Sequence, residues 1–468
     1  MFRFIKEFFI YGMTSMLSKF IAIFLMPIYT NILTQEEYGV MALLVSCNGI
    51  IGIFSNFEIH EGVARDYYED GVDRKKLVST GFFSILSASL LVLMFMLLTF
   101  NFWVDNVLDI SNYKLAFFIV LLSIPAANFH SYFSTLLRFK KKPFLFSLGS
   151  LFQLLLQVSI SIVGVVVLRY GIVSIFLGIL IGEIFAILFF SYFSRYELSF
   201  TFCIPYLKRA LLFGIPLLPA VLAGWVDGSL GQILIGKYIS KADLGVYSVA
   251  LSFVSVFSLV AMCLRNAWSP FLYENYKKQN FNSQAINLYK GVVILLLIIV
   301  VSLSLLSKEV VILLSNASYV AAAQYISLLC LPAALYLLFP IVSSGIQITR
   351  DTKFTAIAHI AGSLFNLLSM ILFLPKFGIV VVPLSLSLSR IISYTILYVV
   401  TRQKKILVLP NQYVVLLVAI SWLSYFIVCC EFSFWWRILF VVLFNGIMLF
   451  ILNNKFSILQ KMLLKIKK

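Results

Sequence analysis

The sequence predicts an all-α integral membrane protein. It reads as fourteen transmembrane helices, built as two parallel-repeat six-helix lobes plus two additional C-terminal helices. Three observations carry this reading. Of the 468 residues, 62% are hydrophobic, and the mean hydropathy is +1.02. Apolar runs of the roughly 20 residues needed to cross a bilayer follow one another almost end to end. Motifs of the first half also return in the second at a nearly constant offset.

In order, the spans fall at 9–30, 39–57, 78–99, 114–136, 144–168, 172–192, 211–235, 245–268, 289–306, 321–347, 354–374, 379–400, 413–430 and 434–452. The first continues directly from Met1-Phe2-Arg3-Phe4-Ile5-Lys6 with no small-residue cleavage site, so it is expected to act as its own insertion signal. It carries one charge, Lys19, and closes in a polar turn, Thr34 to Gly39, from which span 2 departs. A lysine at bilayer depth costs roughly 2.5–3.5 kcal/mol, which places it toward a protein interior or a hydrated cavity.

The net charge is +17. A nucleic-acid partner would need a basic patch on a soluble face, whereas here the charge lies in short loops. Alternate loops hold 27 of the 36 lysines and arginines, the opposite loops hold 7, and Lys19 and Arg390 lie within spans. By the positive-inside rule both termini are cytoplasmic. The opposite loops are short and enclose no domain. The expected divisions are a first lobe at 1–200, a second at 201–405, two further helices over 406–454 and a basic amphipathic tail, 455–468, on anionic lipid. The six cysteines (Cys47, Cys203, Cys263, Cys330, Cys429, Cys430) show no metal or redox spacing. No metal site is predicted, and no nucleotide-binding motif occurs.

The internal repeat rests on three matches. Gly149-Ser150-Leu151-Phe152-Gln153 returns as Gly362-Ser363-Leu364-Phe365-Asn366, 213 residues later. Arg169-Tyr170-Gly171 returns as Lys376-Phe377-Gly378, at 207, and Gly39-Val40 as Gly245-Val246, at 206. Six spans per lobe is an even number, so the lobes share one orientation. Parallel-repeat transporters place their site between the halves and rock one against the other.

Charges within spans are functional candidates by default, with structural pairing as the rival. Lys19 and Asp227 fall at similar depth in equivalent spans and have opposite signs; whether they pair or line a cavity stays open. Glu183 and Arg390 are related by 207 residues and are also of opposite sign. At the cytoplasmic end of span 2 stand Glu58, His60, Glu61 and Arg65, and at that of span 8 stands Arg265. Arginine's donor fork suits phosphate, so Lys19, Arg65 and Arg265 are the substrate-binding candidates. Asp227, Glu183, Arg390 and Glu61 are the candidates for ion coupling or gating. His130 and His359 read as satisfied interior histidines. Gln153, Gln157 and Asn366 are expected to make helix–helix hydrogen bonds.

These motifs resemble the multidrug/oligosaccharidyl-lipid/polysaccharide exporter superfamily, and within it the Wzx-type flippases of O-antigen and capsule repeat units. The resemblance rests on Ser18-Lys19-Phe20, Pro27-Ile28-Tyr29-Thr30-Asn31-Ile32-Leu33 and Glu36-Glu37-Tyr38-Gly39 in the first span and the turn after it. It continues at Phe213-Gly214-Ile215-Pro216-Leu217-Leu218-Pro219, Leu244-Gly245-Val246-Tyr247-Ser248-Val249-Ala250 and Leu374-Pro375-Lys376-Phe377-Gly378-Ile379. Such proteins often follow the Trp225 region with an acidic-basic pair; here Asp227 is followed by Gly228-Ser229-Leu230-Gly231-Gln232, without an arginine. The resemblance implies a transporter rather than an enzyme. It would turn undecaprenyl-pyrophosphate-linked oligosaccharide from the inner to the outer leaflet of the bacterial cytoplasmic membrane. No cofactor is implied, only a coupling H⁺ or Na⁺. The implied partners are lipid-linked oligosaccharide, membrane lipids, and the polymerase and chain-length regulator of the same pathway. The alternatives are a multidrug or cation antiporter, a lipid II flippase and, in another class, a membrane-embedded polymerase or ligase, which the short outer loops disfavour.

Overall fold

The computed structural model describes residues 17, 20–21, 24–140, 142–349, 351, 353–404 and 407–456. Lys19 and the expected tail at 455–468 lie outside the described residues as far as side chains are concerned. Among the described residues every regular element is a helix, and thirteen helices are long and apolar enough to cross a membrane. They run from Gln35–Asn56 to Phe434–Asn453 and correspond one for one to expected spans 2–14. The chain divides into two compact units, Met1–Gly245 and Val246–Lys468. The units are defined by packing and the repeat by sequence, and the two divide the chain at different places.

The repeat reappears as local geometry. The turn expected before span 2 is instead the start of the helix. Thr34 is its N-cap: Glu37 N donates to Thr34 Oγ1 (3.1 Å) and Thr34 N to Glu37 Oε2 (2.9 Å). This reciprocal capping box satisfies two orphan donors of the helix start. At the head of span 8, Asp243 N donates to Ser240 Oγ (3.0 Å) and Ser240 Oγ to Asp243 Oδ2 (2.6 Å). Both residues stand 206 positions after their counterparts, so the same Ser/Thr-x-x-acid chemistry opens both helices. Gly171 and Gly378 both adopt left-handed backbone, with φ of 56° and 73°, which is why glycine recurs there.

Within the first unit, spans 4, 5 and 6 pack around Tyr132, Phe133, Ala186 and Phe190, joined by Val78 and Ile85 of span 3. Tyr132 is fully buried and donates its hydroxyl to Val78 O (2.6 Å). Span 7, Ile204–Tyr238, is irregular. A 3₁₀ turn at Ile215–Leu217 contains Pro216, and a π turn occupies Val226–Leu230. In the second unit, span 10 (Ala322–Thr349) is the most enclosed helix. Trp268 donates to Ser344 Oγ (3.1 Å), and the hydroxyls of Tyr289 and Tyr394 lie 3.0 Å apart. Spans 13 and 14 are tied on by polar contacts with span 9 and its extension. Asn445 donates to Ser302 (2.8 Å), and Arg437 grips Glu309 at 2.5 and 3.0 Å while donating to Leu305 O (2.8 Å).

Candidate functional site

Polar residues inside apolar spans must find partners, and in the first unit three sequence candidates converge. Glu183 of span 6 (Ile172–Glu197) lies with its Oε2 2.6 Å from His130 Nδ1 of span 4 (Ser111–Phe139). Its Oε1 accepts from Gln153 Nε2 of span 5 (3.1 Å). His130 stacks on Phe190, ring centroids 5.4 Å apart at 3°. Side-chain exposure is 20% for His130 and 14% for Glu183, so the pair is mostly but not wholly enclosed. A carboxylate and an imidazole at this distance can share one proton or hold two. This is a titratable site inside the lobe.

The equivalent place in the second unit is different in kind. Arg390 lies over the Tyr336 ring at 4.6 Å and the Phe339 ring at 5.8 Å, and His359 packs on Phe339 at 5.4 Å. Aromatic faces of this kind hold a guanidinium electrostatically. Asn366, the counterpart of Gln153, accepts from Ser385 Oγ (2.8 Å). The expected helix–helix hydrogen bonds of Gln153 and Asn366 are therefore present, each between two neighbouring spans. Glu183 and Arg390, opposite in sign in the sequence, sit in different units, one against histidine and the other against aromatic rings.

Asp227 is buried, 9% exposed, in the π turn of span 7. Ser46 of span 2 brackets it: Trp225 Nε1 donates to Ser46 O (3.1 Å), and Ser46 Oγ lies 3.1 Å from Gln232 Oε1. The turn before Asp227 and the turn after it are thus both fixed on one residue. The expected relation of Asp227 to Lys19 falls outside the described residues.

At the other end of span 2 the chain breaks sharply. Phe57 and Glu58 both take left-handed backbone, φ 51° and 54°, before a separate short helix, Ile59–Asp66. Two consecutive non-glycine residues in this region cost of order 1–3 kcal/mol each, and packing holds them there. Gly214 of span 7 rests on their carbonyls; a Cβ would come within 2.7 Å of Phe57 O and 2.8 Å of Glu58 O. The short helix presents the candidate charges. Arg65 is exposed and lies over the Phe213 ring at 5.1 Å. His60 lies 3.8 Å from Glu58 and 3.5 Å from the exposed Glu61. Arg265 of the second unit is exposed and has no ion-pair partner among the described residues. No cluster of three metal-ligating side chains occurs among the described residues.

The His130–Glu183 contact had no signal in the sequence, because 53 residues separate the pair. Both were visible as polar residues at mid-span, which only the packing of spans 4 and 6 could join.

The architecture was compared with known proteins. The family described as "Polysaccharide biosynthesis protein" matches residues 4–276, more than half of the chain, and the MatE family matches residues 216–372. No curated protein matches in sequence. Among solved structures, the lipid II flippase MurJ in an inward closed conformation is similar with a TM-score of 0.72 at 16% identity, covering 96% of this chain and 99% of its own. An inward-facing multidrug resistance MATE family transporter of the MOP superfamily gives 0.65 at 14% identity, covering 84% and 94%. A Vibrio cholerae MATE transporter gives 0.52 at 12%, covering 85% and 94%. At these identities the structures speak for the fold.

Fold and buried polar residues together define a multi-pass membrane protein with the architecture of MOP-superfamily transporters and flippases, which are not enzymes. The chain belongs to the polysaccharide biosynthesis protein family.

Proposed function

We propose that this protein flips undecaprenyl-pyrophosphate-linked oligosaccharide repeat units from the inner to the outer leaflet of a bacterial cytoplasmic membrane, for O-antigen, capsule or exopolysaccharide assembly. The observation that carries the reading is the family match over residues 4–276. A sugar pyrophosphate cannot cross hydrocarbon unaided, because its polar groups would lose their hydrogen bonds. A hydrated path between two lobes, taken as 1–200 and 201–405, lets the headgroup pass while the polyprenyl tail stays in lipid. The two lobes alternate access by rocking. The lysine and arginine asymmetry of the loops supports cytoplasmic termini.

In this reading Lys19, Arg65 and Arg265 attract the pyrophosphate or acidic sugars, and Arg65 and Arg265 are exposed as that role needs. Asp227 and the Glu183–His130 pair carry or gate a coupling H⁺ or Na⁺. The polymerase and chain-length regulator of the pathway act on the delivered unit. A second reading, lipid II as substrate, is favoured by the TM-score of 0.72 with a lipid II flippase. Deletion separates the two. Accumulation of undecaprenyl-linked repeat unit on the cytoplasmic side, with normal peptidoglycan synthesis, supports the first; accumulation of lipid II with lysis supports the second and overturns the first.

A further inference from the structure

The first unit has a second polar recess, at the end of the bundle opposite Arg65. Three inter-span turns build it: Glu36 at the head of span 2, Asp109 to Tyr113 before span 4, and Gly236 to Ala242 between spans 7 and 8. Its volume of about 490 Å³ lies within the range of roughly 300–1,000 Å³ typical of small-molecule sites. Lys241 and Asp109 are ion-paired at 2.7 Å and tie two of the turns together. Lys241 is only 15% exposed in this contact, so the recess has a fixed wall. Asp109 holds that position with left-handed backbone, φ 52°.

The lining indicates the class of ligand. Glu36 and Lys237 are exposed and make no hydrogen bond or ion pair with the described residues. Together with the Asp109–Lys241 pair they give two carboxylates and two ammonium groups in one recess. A phosphate would meet Glu36, and a simple cation would meet Lys237. An acyl chain would have to desolvate all four charges. A ligand that both donates and accepts hydrogen bonds, without net charge, meets neither penalty. Sugar hydroxyls do both. They donate to a carboxylate and accept from an ammonium or from the Asn112 amide. Tyr113, half-buried in the wall, adds an aromatic body with a polar tip on which the C–H face of a pyranose can rest.

We infer that this recess binds saccharide: the uncharged, polyhydroxylated part of the transported oligosaccharide, held at the extracytoplasmic end. This rests on the flippase reading for its side of the membrane and for the source of the sugar. It gives the saccharide a place separate from the pyrophosphate candidates Arg65 and Arg265. Glu36 and Lys237 are the recognition residues. The Lys241–Asp109 pair positions the turns that present them.

The test uses full-length protein in lipid nanodiscs. The probe is the repeat-unit oligosaccharide released from the parent cell's own surface polysaccharide by partial acid hydrolysis, with inorganic pyrophosphate as the ionic control. Saturation-transfer NMR and calorimetry are expected to detect the oligosaccharide on the native protein. Binding weakens at least tenfold in the double variant Glu36→Gln/Lys237→Gln and in Tyr113→Leu, with pyrophosphate binding and thermal unfolding unchanged. Absence of oligosaccharide binding to the native protein overturns the inference, as does equal binding by the double variant. The flippase reading is read separately, by accumulation of lipid-linked unit on deletion. A chain that flips the unit but leaves the recess empty keeps that reading and loses this one.

Discussion

Gly39 and Gly245, 206 residues apart and equivalent in the repeat, are pressed against each other's helix starts. A Cβ on Gly39 would overlap the carbonyl of Lys241, and one on Gly245 would overlap the carbonyl of Gln35. Each helix is therefore seated on the capped first turn of the other. No side chain fits between them.

Substitution at this crossing is expected to be costly. Gly39→Ala and Gly245→Ala force the backbones apart, which for overpacked sites costs typically 1–3 kcal/mol. Gly52→Ala is the control, since nothing lies within 4 Å of its added Cβ. Thermal unfolding in detergent should drop clearly for the first two and hardly move for Gly52→Ala.

The His130–Glu183 pair gives a functional prediction. Glu183→Gln removes the carboxylate charge yet keeps a carbonyl oxygen for the Gln153 donor at 3.1 Å. If the pair carries the coupling ion, transport in proteoliposomes loses its response to an imposed pH or Na⁺ gradient, while downhill movement of the lipid-linked unit persists. A full gradient response in the variant excludes this pair from coupling.

Arg437 is the tie on the last two spans. It is 8% exposed and satisfies Glu309, Leu305 O and Phe432 O at once. Removing one partner of a buried pair leaves the other charge uncompensated, at about 3–5 kcal/mol. Arg437→Ala should lower the unfolding temperature markedly. Replacing both partners, Arg437→Met with Glu309→Leu, should recover much of the loss, because no lone charge remains.

Two carboxylates outside the spans set an acid limit. A backbone hydrogen bond from Lys76 holds Asp73 below the usual carboxylate range, and a side-chain bond from Lys404 does the same for Asp351. Their folded values are depressed. The stabilisation they give is therefore complete above the ordinary carboxylate range and is lost as pH falls through the lowered values. Asp73→Asn, which keeps a capping oxygen, should flatten part of the decline in melting temperature on acidification. An unchanged acid profile in that variant would remove Asp73 from the account.

Spans 2–14 were legible because each is an unbroken apolar run bounded by charges or turn residues. The repeat was legible because its glycines and caps are fixed by backbone needs that only a few residue types meet. The capping box at Thr34 was hidden in what reads as a polar turn, since the same residues serve either purpose until the helix axis is known. Glu183 and Arg390 were visible as charges, but not their partners. A histidine 53 residues away and two aromatic rings, Tyr336 and Phe339, are brought up by packing between spans, to which local sequence is blind. Phe57 and Glu58 give no hint of their left-handed backbone, which the contact with Gly214 imposes.

The π turn at Val226–Leu230 amounts to a one-residue insertion in an α-helix. Successive residues in an α-helix are about 100° apart, so one extra residue rotates everything after it by that angle. Trp225 before the insertion and Gln232 after it reach the same Ser46 only because of this rotation. A descendant of this chain that lost one residue between them would keep the tryptophan contact and swing the glutamine off the interface. Its partner for Ser46 would have to arise one place further along. The register of span 7 against span 2 is thus stored as a count of residues, and a single-codon deletion would erase it without changing any side chain in the contact.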